Sequence, residues 1–309
     1  MSLKIISFGE ALFDLYESKE EKASLELNAY NGGAPMNFIC ACSKFGAEQC
    51  VFYTNLTDSS FSKKLREILS KYKIKIRTRR KASEPPAAVV LENGDFNFFI
   101  TPSSLSFSSR AFKRRDFKKS DLFNFGSLFL VTSEGYRATR RAVAKSKKEK
   151  LKISFDINYR PAILKQLEIK EKTYFKKVDR MIHHADFIKF AEEEAVHIFG
   201  TTRTKKLFKI FSNHKNRNKL FIMTRGIKGA DVFYKGQVYS QAAFKADKVV
   251  DTTGAGDIFF AGFLTNILKN SNSVYTAENI KNALEFASKV ASQSVQFKGS
   301  TTALEQMEI

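Results

Sequence analysis

A chain of 309 residues, 43% of them hydrophobic, is long enough to bury a full core as one large domain or as one domain with a small lobe. No apolar run reaches the length of a membrane span and the start, Met1-Ser2-Leu3-Lys4-Ile5-Ile6, passes at once into a strand-like pattern, which argues against a signal segment and predicts a cytoplasmic protein. The formal charge of +20 invites a nucleic-acid partner, but the basic residues are scattered (Lys113–Arg115, Lys145–Lys152, Lys215–Lys219) and form no stripe interleaved with aromatics, so the expectation is a solvated surface that steers anionic nucleotides.

Ile5–Phe8 reads as a short apolar strand, and Gly9 lets the chain turn before Glu10-Ala11-Leu12-Phe13-Asp14. Asp14 falls at an apolar strand end, where it is either a turn carboxylate or an acceptor for sugar hydroxyls. Asn31-Gly32-Gly33-Ala34-Pro35-Met36-Asn37 opens a helix through Phe45, with proline in its first turn. The glycine pair permits close approach of a ligand to the backbone, and Asn37, one turn in, can present its amide to the same space. Cys40, Cys42 and Cys50 are an odd number without metal spacing and read as buried thiols. His183, His184, His197 and His214 have no metal-binding spacing either.

Val51–Thr54 is a strand, Phe61–Tyr72 a helix, and Ile74 and Ile76 alternate as an exposed strand. Ala87–Leu91 and Phe96–Ile100 flank Asn93-Gly94, a two-residue hairpin signal, and the polar stretch Thr101–Ser109 follows. This hairpin and the strand near Leu12 have no helical partners in sequence, which predicts a small separate sheet. From residue 121 the pattern becomes strand–helix units. Strands are expected at Leu122–Phe125, Ile153–Asp156, Phe187–Phe190 and Leu220–Thr224, with helices near 135–147, 171–182, 192–199 and 203–212, hence a parallel sheet covered by helices. Lys235-Gly236 turns a second hairpin between Val232–Tyr234 and Val238–Tyr239. A last helix, about 278–295, packs on one running from Gly256 to Leu268.

Polar residues gather at the strand ends, where open α/β sheets bind ligands. Arg160, in Asp156-Ile157-Asn158-Tyr159-Arg160-Pro161, can clamp a phosphate or hydroxyl in bidentate fashion. Lys189 and Glu192-Glu193-Glu194 end the next strand; the acids suit a helix start, and one can also hold Mg²⁺ through water. Thr224-Arg225-Gly226-Ile227-Lys228-Gly229-Ala230 ends a third, either a plain turn or a place where ribose and phosphates lie close to the chain.

Asp251–Leu264 is the most specific stretch. Gly254, Ala255 and Gly256 bare backbone N–H groups at the start of an apolar helix, where the dipole attracts an anion. Asp257 at that junction would repel a phosphate, unless its task is to take a proton from a hydroxyl attacking it.

In order along nearly the whole chain, Gly9–Asp14, Gly32–Asn37, Phe125-Gly126-Ser127, Phe155–Pro161, Glu192–Glu194, Thr224–Ala230 and Val250–Leu264 resemble the pfkB (ribokinase-like) carbohydrate kinases, bacterial fructokinases above all. The resemblance implies a doubly wound, mostly parallel α/β sheet flanked by helices, with a small β-sheet lid. It implies one kinase domain over 1–309, with lid segments near 11–31 and 86–104. The implied activity is ATP-dependent transfer of the γ-phosphoryl group to a sugar hydroxyl, with fructose as the leading acceptor. A kinase for 2-keto-3-deoxygluconate or another sugar is the alternative, and a non-catalytic protein that binds sugar or nucleic acid is the reading from a different class.

Carried over residue by residue, the resemblance makes Asp257 the catalytic base beside an anion hole at Gly254, Ala255 and Gly256. Asp14, Gly32, Gly33 and Asn37 contact the sugar, and Arg160 lies near sugar and phosphate. Thr224, Gly226 and Gly229 line the nucleotide site, and Glu194 helps to place hydrated Mg²⁺. A monovalent cation and a homodimer built through the lid sheet are further family traits. The chain departs from the pattern at Ala191, where the Asn of an Asn-x-x-Glu motif is expected, and at Thr57-Asp58-Ser59, in place of Gly-Asp-Asp. The Ala-Asp expected just beyond the lid strand is missing from Thr101–Ser106. Ile100 replaces the lid arginine, which disfavours an acidic sugar and places the choice of substrate around that position. No Walker A loop is present, so the phosphates fall to the helix at Gly256.

Overall fold

The computed structural model describes residues 2–21, 24–78, 84–90, 96–213, 215–271 and 274–308, with the side chains of 18–21, 24, 25 and 96 left aside. The expected Asn93-Gly94 turn and His214 lie outside the described residues. The strands are β1 (Lys4–Phe8), β2 (Leu12–Glu21), β3 (Ser24–Gly32), β4 (Gln49–Tyr53), β5 (Lys75–Arg77), β6 (Ala87–Val90), β7 (Phe96–Phe99), β8 (Leu122–Gly126), β9 (Lys152–Asp156), β10 (Phe187–Ala191), β11 (Leu220–Thr224), β12 (Ala230–Tyr234) and β13 (Gln237–Gln241). The helices are α1 (Ala34–Lys44), α2 (Ser60–Lys71), α3 (Arg114–Phe117), α4 (Ser133–Lys148), α5 (Pro161–Gln166), α6 (Glu171–His184), α7 (Glu192–Phe199), α8 (Thr204–Phe211), α9 (Ala255–Asn270), α10 (Ala277–Ser294) and α11 (Ser300–Gln306).

Nine strands form one sheet in the order β13-β12-β11-β10-β9-β8-β1-β4-β5. All pairs from β11 to β5 are parallel, and β12 and β13 join antiparallel at one edge. The chain leaves β1 toward β4 and later returns to β1's other side as β8. The crevice beyond the carboxyl ends of β1 and β8 is therefore a topological switch point, the place where such sheets bind ligands. Successive strand residues feed opposite layers. Ile5, Phe52, Leu122 and Ile222 pack with α1, α9 and α10 residues, whereas Ile6, Phe123, Phe155 and Phe221 pack with those of α4, α6 and α8. Burial on both faces is why these strands read as apolar runs in the sequence. Phenylalanine fills much of the second layer, with Phe125 stacked on Phe155 at 4.7 Å and Phe211 on Phe221 at 3.9 Å between ring centroids.

A second sheet has the order β3-β2-β6-β7. Asp14 pairs with Tyr30 of β3 on one side and with Ala88 of β6 on the other. Tyr16 donates to Asp251 at 2.7 Å and Asn31 to Thr301 at 2.6 Å, so the sheet is tied to the segments that flank the start of α9 and form α11.

Two expectations need correction. The segment at Ile74 and Ile76 is not exposed: Ile74 is buried, Ile76 is half-buried, and β5 extends the main sheet beside β4. The helix near 278–295 is not the last, because α11 follows and packs between α1 and β3. Within the polar stretch Thr101–Ser109, Leu105 and Phe107 are fully buried. Among the described residues, no helix is long and apolar enough to cross a membrane.

Candidate active site

Gly254 caps α9 in the left-handed conformation (φ 77°), and a Cβ there would lie 2.4 Å from Ser300 Oγ. The tight start directs the Asp257 and Ile258 amides onto the Gly254 carbonyl, both at 3.0 Å, and the Ala255 amide onto Thr252 at 3.2 Å. Among the described residues the N–H groups of Gly254 and Gly256 have no acceptor. The anion hole expected from three residues thus has two free amides, with Ala255 consumed by the turn. Asp257 stands in the first turn, 8% exposed, and Asn37 of α1 donates to its Oδ2 at 2.8 Å.

Acidic groups crowd this spot. Glu10, Asp14, Asp156, Glu194 and Asp257 are all buried, and among the described residues Lys189 and Arg160 are the cations that answer them. Burial raises Asp257 to about 6, with the Lys189 ammonium opposing the rise and Asp156 adding to it. Burial likewise lifts Asp14 to about 7, helped by Asp251 and Asp257. Glu10 is pushed up to about 8 by burial and, after a backbone hydrogen bond that lowers it, by Asp257 and Asp156. At neutral pH Glu10 is therefore mostly protonated and Asp257 mostly ionised. Glu10 Oε2, Asn37 Oδ1 and Ser300 Oγ are buried without a partner among the described residues, as expected of groups that await a polar ligand.

On this side the cleft is lined by Glu10, Asp14, Tyr16, Gly33, Asn37, Asn97, Phe98, Arg160 and Lys298. Gly32 does not line it. A Cβ there would lie 2.1 Å from Asp14 Oδ2, so its part is to leave room for that carboxylate. Ile100 is buried in the core beneath β7 and does not line the cleft either, which moves the cleft-facing residues of this strand to Asn97 and Phe98. Thr57 and Ser59 clasp Glu84 at 2.8 and 2.6 Å and start α2, away from the cleft. The sequence reading passed over Glu10, Tyr16, Asp251 and Lys298. Asp251 accepts from Thr253 N, Tyr16 Oη and Gly299 N at 2.7–2.9 Å, and the Lys298 ammonium lies 4.6 Å above the Tyr16 ring. An acid amid apolar neighbours at a turn, as at Glu10, was the available signal.

The opposite side is formed by Thr224, Gly226, Gly229, Val249, Ala291 and Val295, with Ile227 and Phe244 at the rim. Gly226 is open, whereas a Cβ on Gly229 would strike the Gln241 carbonyl at 2.0 Å; Gly229 therefore serves close approach to β13. Apolar walls with adjacent small residues suit a flat base, and the free amides at Gly254 and Gly256 lie between the two sides. The whole cleft measures about 1990 Å³, room for two small ligands at once, since one such site takes about 300–1,000 Å³.

Glu194 is a brace. Its carboxylate accepts from Tyr159 N at 2.5 Å and from Ala191 N at 2.7 Å, tying the β9–α5 loop to the start of α7. Ala191 has no side-chain oxygen to complete the reciprocal cap. Among the described residues no three His, Cys, Asp or Glu side chains converge as a metal cage. A divalent ion entering here would therefore bring its own phosphate and water ligands, as Mg²⁺ does.

A protein-family profile, pfkB family carbohydrate kinase, matches residues 2–307. The probable fructokinase-5 of Arabidopsis thaliana is 29% identical over 97% of this chain and 94% of its own length. Fructokinase-2 of Oryza sativa subsp. japonica is 29% identical over 97% of this chain and 90% of its own. Among solved structures, a double mutant of the Vibrio cholerae O395 fructokinase, bound to fructose, ADP and potassium ion, superposes with a TM-score of 0.86 at 22% identity, covering 98% of this chain and 95% of that one. At that identity the likeness establishes the fold.

Proposed function

The chain belongs to the pfkB family of carbohydrate kinases, and from that premise we propose that it transfers the γ-phosphoryl group of ATP to a hydroxyl of fructose. One observation carries the proposal: Asp257, held by Asn37, stands next to the two unpaired amides of Gly254 and Gly256 inside one two-sided cleft. In the proposed reaction the Asp257 carboxylate takes the proton of the attacking hydroxyl. The sugar oxygen then bonds to the γ-phosphorus as the bond from that phosphorus to the β-bridging oxygen breaks. ADP leaves with the electron pair, and the proton passes from Asp257 to water. The free amides and Arg160 offset the charge on the phosphoryl oxygens, so the protein's work is positioning and charge stabilisation.

A neutral polyol suits the acidic side of the cleft. Asp14, Asp257 and Asp251 can accept hydrogen bonds from hydroxyls, while protonated Glu10 has a hydrogen to give. An acidic sugar would add charge among carboxylates. The names of the Arabidopsis and rice relatives and the fructose, ADP and potassium held by the Vibrio protein support fructose, ATP and a monovalent cation as ligands here. Mg²⁺, when bound, would shield the ATP phosphates, with Glu194 acting on it through water. The β3-β2-β6-β7 sheet is read as a lid on a single 1–309 kinase domain. That β3 and β7 are the edges of this sheet among the described residues, and that the ring of Phe99 is exposed, favour a homodimer through that sheet, and three buried free thiols favour a cytoplasmic location. The intact base and amides weigh against a protein that only binds sugar or nucleic acid.

A coupled ADP-release assay over fructose, glucose, ribose and 2-keto-3-deoxygluconate tests the acceptor. Fructose is expected to lead in kcat/KM by about tenfold or more. Preference for the acidic sugar would replace fructose in this reading, and no turnover with any sugar would remove the kinase assignment.

A further inference from the structure

We propose, on the kinase reading above, that Lys189 is a catalytic residue: its ammonium, braced on Asp156, donates a hydrogen bond to the phosphoryl group in transfer beside the Gly254–Gly256 turn. Lys189 and Asp156 are direct partners in the parallel register of β10 and β9, and the Lys189 carbonyl accepts from Ile157 N at 3.0 Å, which fixes the backbone. The ammonium lies 3.1 Å from the Asp156 carboxylate, 6% exposed, yet it lines the cleft. A buried ion pair gives little stability that an apolar pair would not also give, so its stability alone does not account for it.

The position of the ammonium does account for it. A Cβ on Gly256 would sit 3.2 Å from Nζ and 3.5 Å from Cε, so the lysine head lies against the peptide whose N–H is unpaired. Among the described residues Asp156 is the hydrogen-bond partner of Nζ, and an ammonium has three hydrogens. Two hydrogens therefore remain for an anion placed at Gly256. During transfer Lys189 keeps all its protons. It holds a phosphoryl oxygen while Asp257 takes the hydroxyl proton, the new P–O bond forms and ADP departs with the electrons of the old one. Lys189 also faces Asp257 and is foremost among the groups that oppose the effect of burial on it. The Asn37 amide and Arg160 act in the same direction, Asp156 acts against them, and Glu10 and Asp14 face the same carboxylate.

Lys189→Met is expected to lower kcat about 100- to 1,000-fold, the scale of one lost oxyanion donor, with KM for fructose within about threefold. The acid limb of its kcat/KM profile should move up by about one pH unit or more, a change that a merely structural lysine would not cause. Affinity for ADP with aluminium fluoride and fructose should fall about 100-fold, while affinity for ADP alone stays within about threefold. If the single variant does not fold, Asp156→Asn with Lys189→Met removes both buried charges and carries the same expectations for kcat and for the ADP–aluminium fluoride complex, but not for the acid limb, because the Asp156 charge that raises Asp257 goes with the lysine. Either variant folded with kcat within about threefold of wild type, or Lys189→Met with an unmoved acid limb, overturns the assignment. Wild-type protein that phosphorylates no sugar overturns the kinase reading instead, so the two failures are distinct.

Discussion

Asn37 Nδ2 donates to Asp257 Oδ2 at 2.8 Å, joining the first turns of α1 and α9 across 220 residues of chain. The family resemblance assigns Asn37 to the sugar, but one of its two amide hydrogens is committed to the base, which leaves the other and Oδ1 for a ligand. The bond fixes the carboxylate's orientation and favours its ionised form. Asn37→Ala should therefore lower kcat about 10- to 100-fold, since a buried hydrogen bond to a charged group is worth about 1.5–3 kcal/mol. Steady-state kinetics with fructose checks this; a loss confined to KM would return Asn37 to a purely sugar-binding part.

Burial raises Asp257 to about 6, and a general base works only when deprotonated. The kcat/KM for fructose should be flat above neutrality and fall toward about tenfold per unit below about pH 6. Asp257→Asn should remove that limb together with most of the activity, on the order of 1,000-fold or more. A kcat/KM that stays level down to pH 5 would mean that another group accepts the proton.

Much of this was legible because it is encoded locally. The parallel strands bury both faces and so appear as apolar runs, and the Gly254–Asp257 spacing carries amides, helix start and carboxylate in four residues. β3 was not legible as a strand, because its mixed polar and apolar residues are ordered by pairing with β2. α11 is short and begins Ser-Thr-Thr, so only its packing on α1 and β3 defines it. Tyr16 and Asp251 lie 235 positions apart, and no spacing rule reports a contact of that kind. The Ile100 expectation erred for a similar reason: the residue type was read correctly as apolar, but that Ile100, just past β7, turns into the core while Asn97 and Phe98 line the cleft is set by the tertiary fold.

Gly32 lies opposite Leu12 in the β2–β3 ladder, and its missing side chain is filled by the Asp14 carboxylate. A methyl group would sit 2.1 Å from Oδ2 and 2.7 Å from Cγ, closer than van der Waals contact allows, so Asp14 has to rotate away. Gly32→Ala should raise KM for fructose about tenfold or more while leaving KM for ATP within about twofold, because the nucleotide side is built from β11, α9 and α10. Equal effects on both constants would point to a general loss of the lid sheet.

Glu10 gives the last prediction, which concerns stability. Burial, with Asp257 and Asp156 adding to it and Arg160 opposing, raises its carboxyl from 4.5 to about 8 in the folded protein. The native state therefore keeps a proton that the unfolded chain releases, and stability must fall as pH rises across that interval. This contribution is fully present below the ordinary glutamate range and is lost progressively as pH climbs from about 4.5 through about 8. Glu10→Gln fixes the neutral form, so without ligands the variant should match wild type near pH 4.5 and exceed it increasingly above neutrality, by several degrees in Tm near pH 9. Thermal melts of both proteins from pH 5 to 9 measure the difference. A constant offset across that range would show that Glu10 is ionised in the native state, with the Arg160 charge outweighing burial.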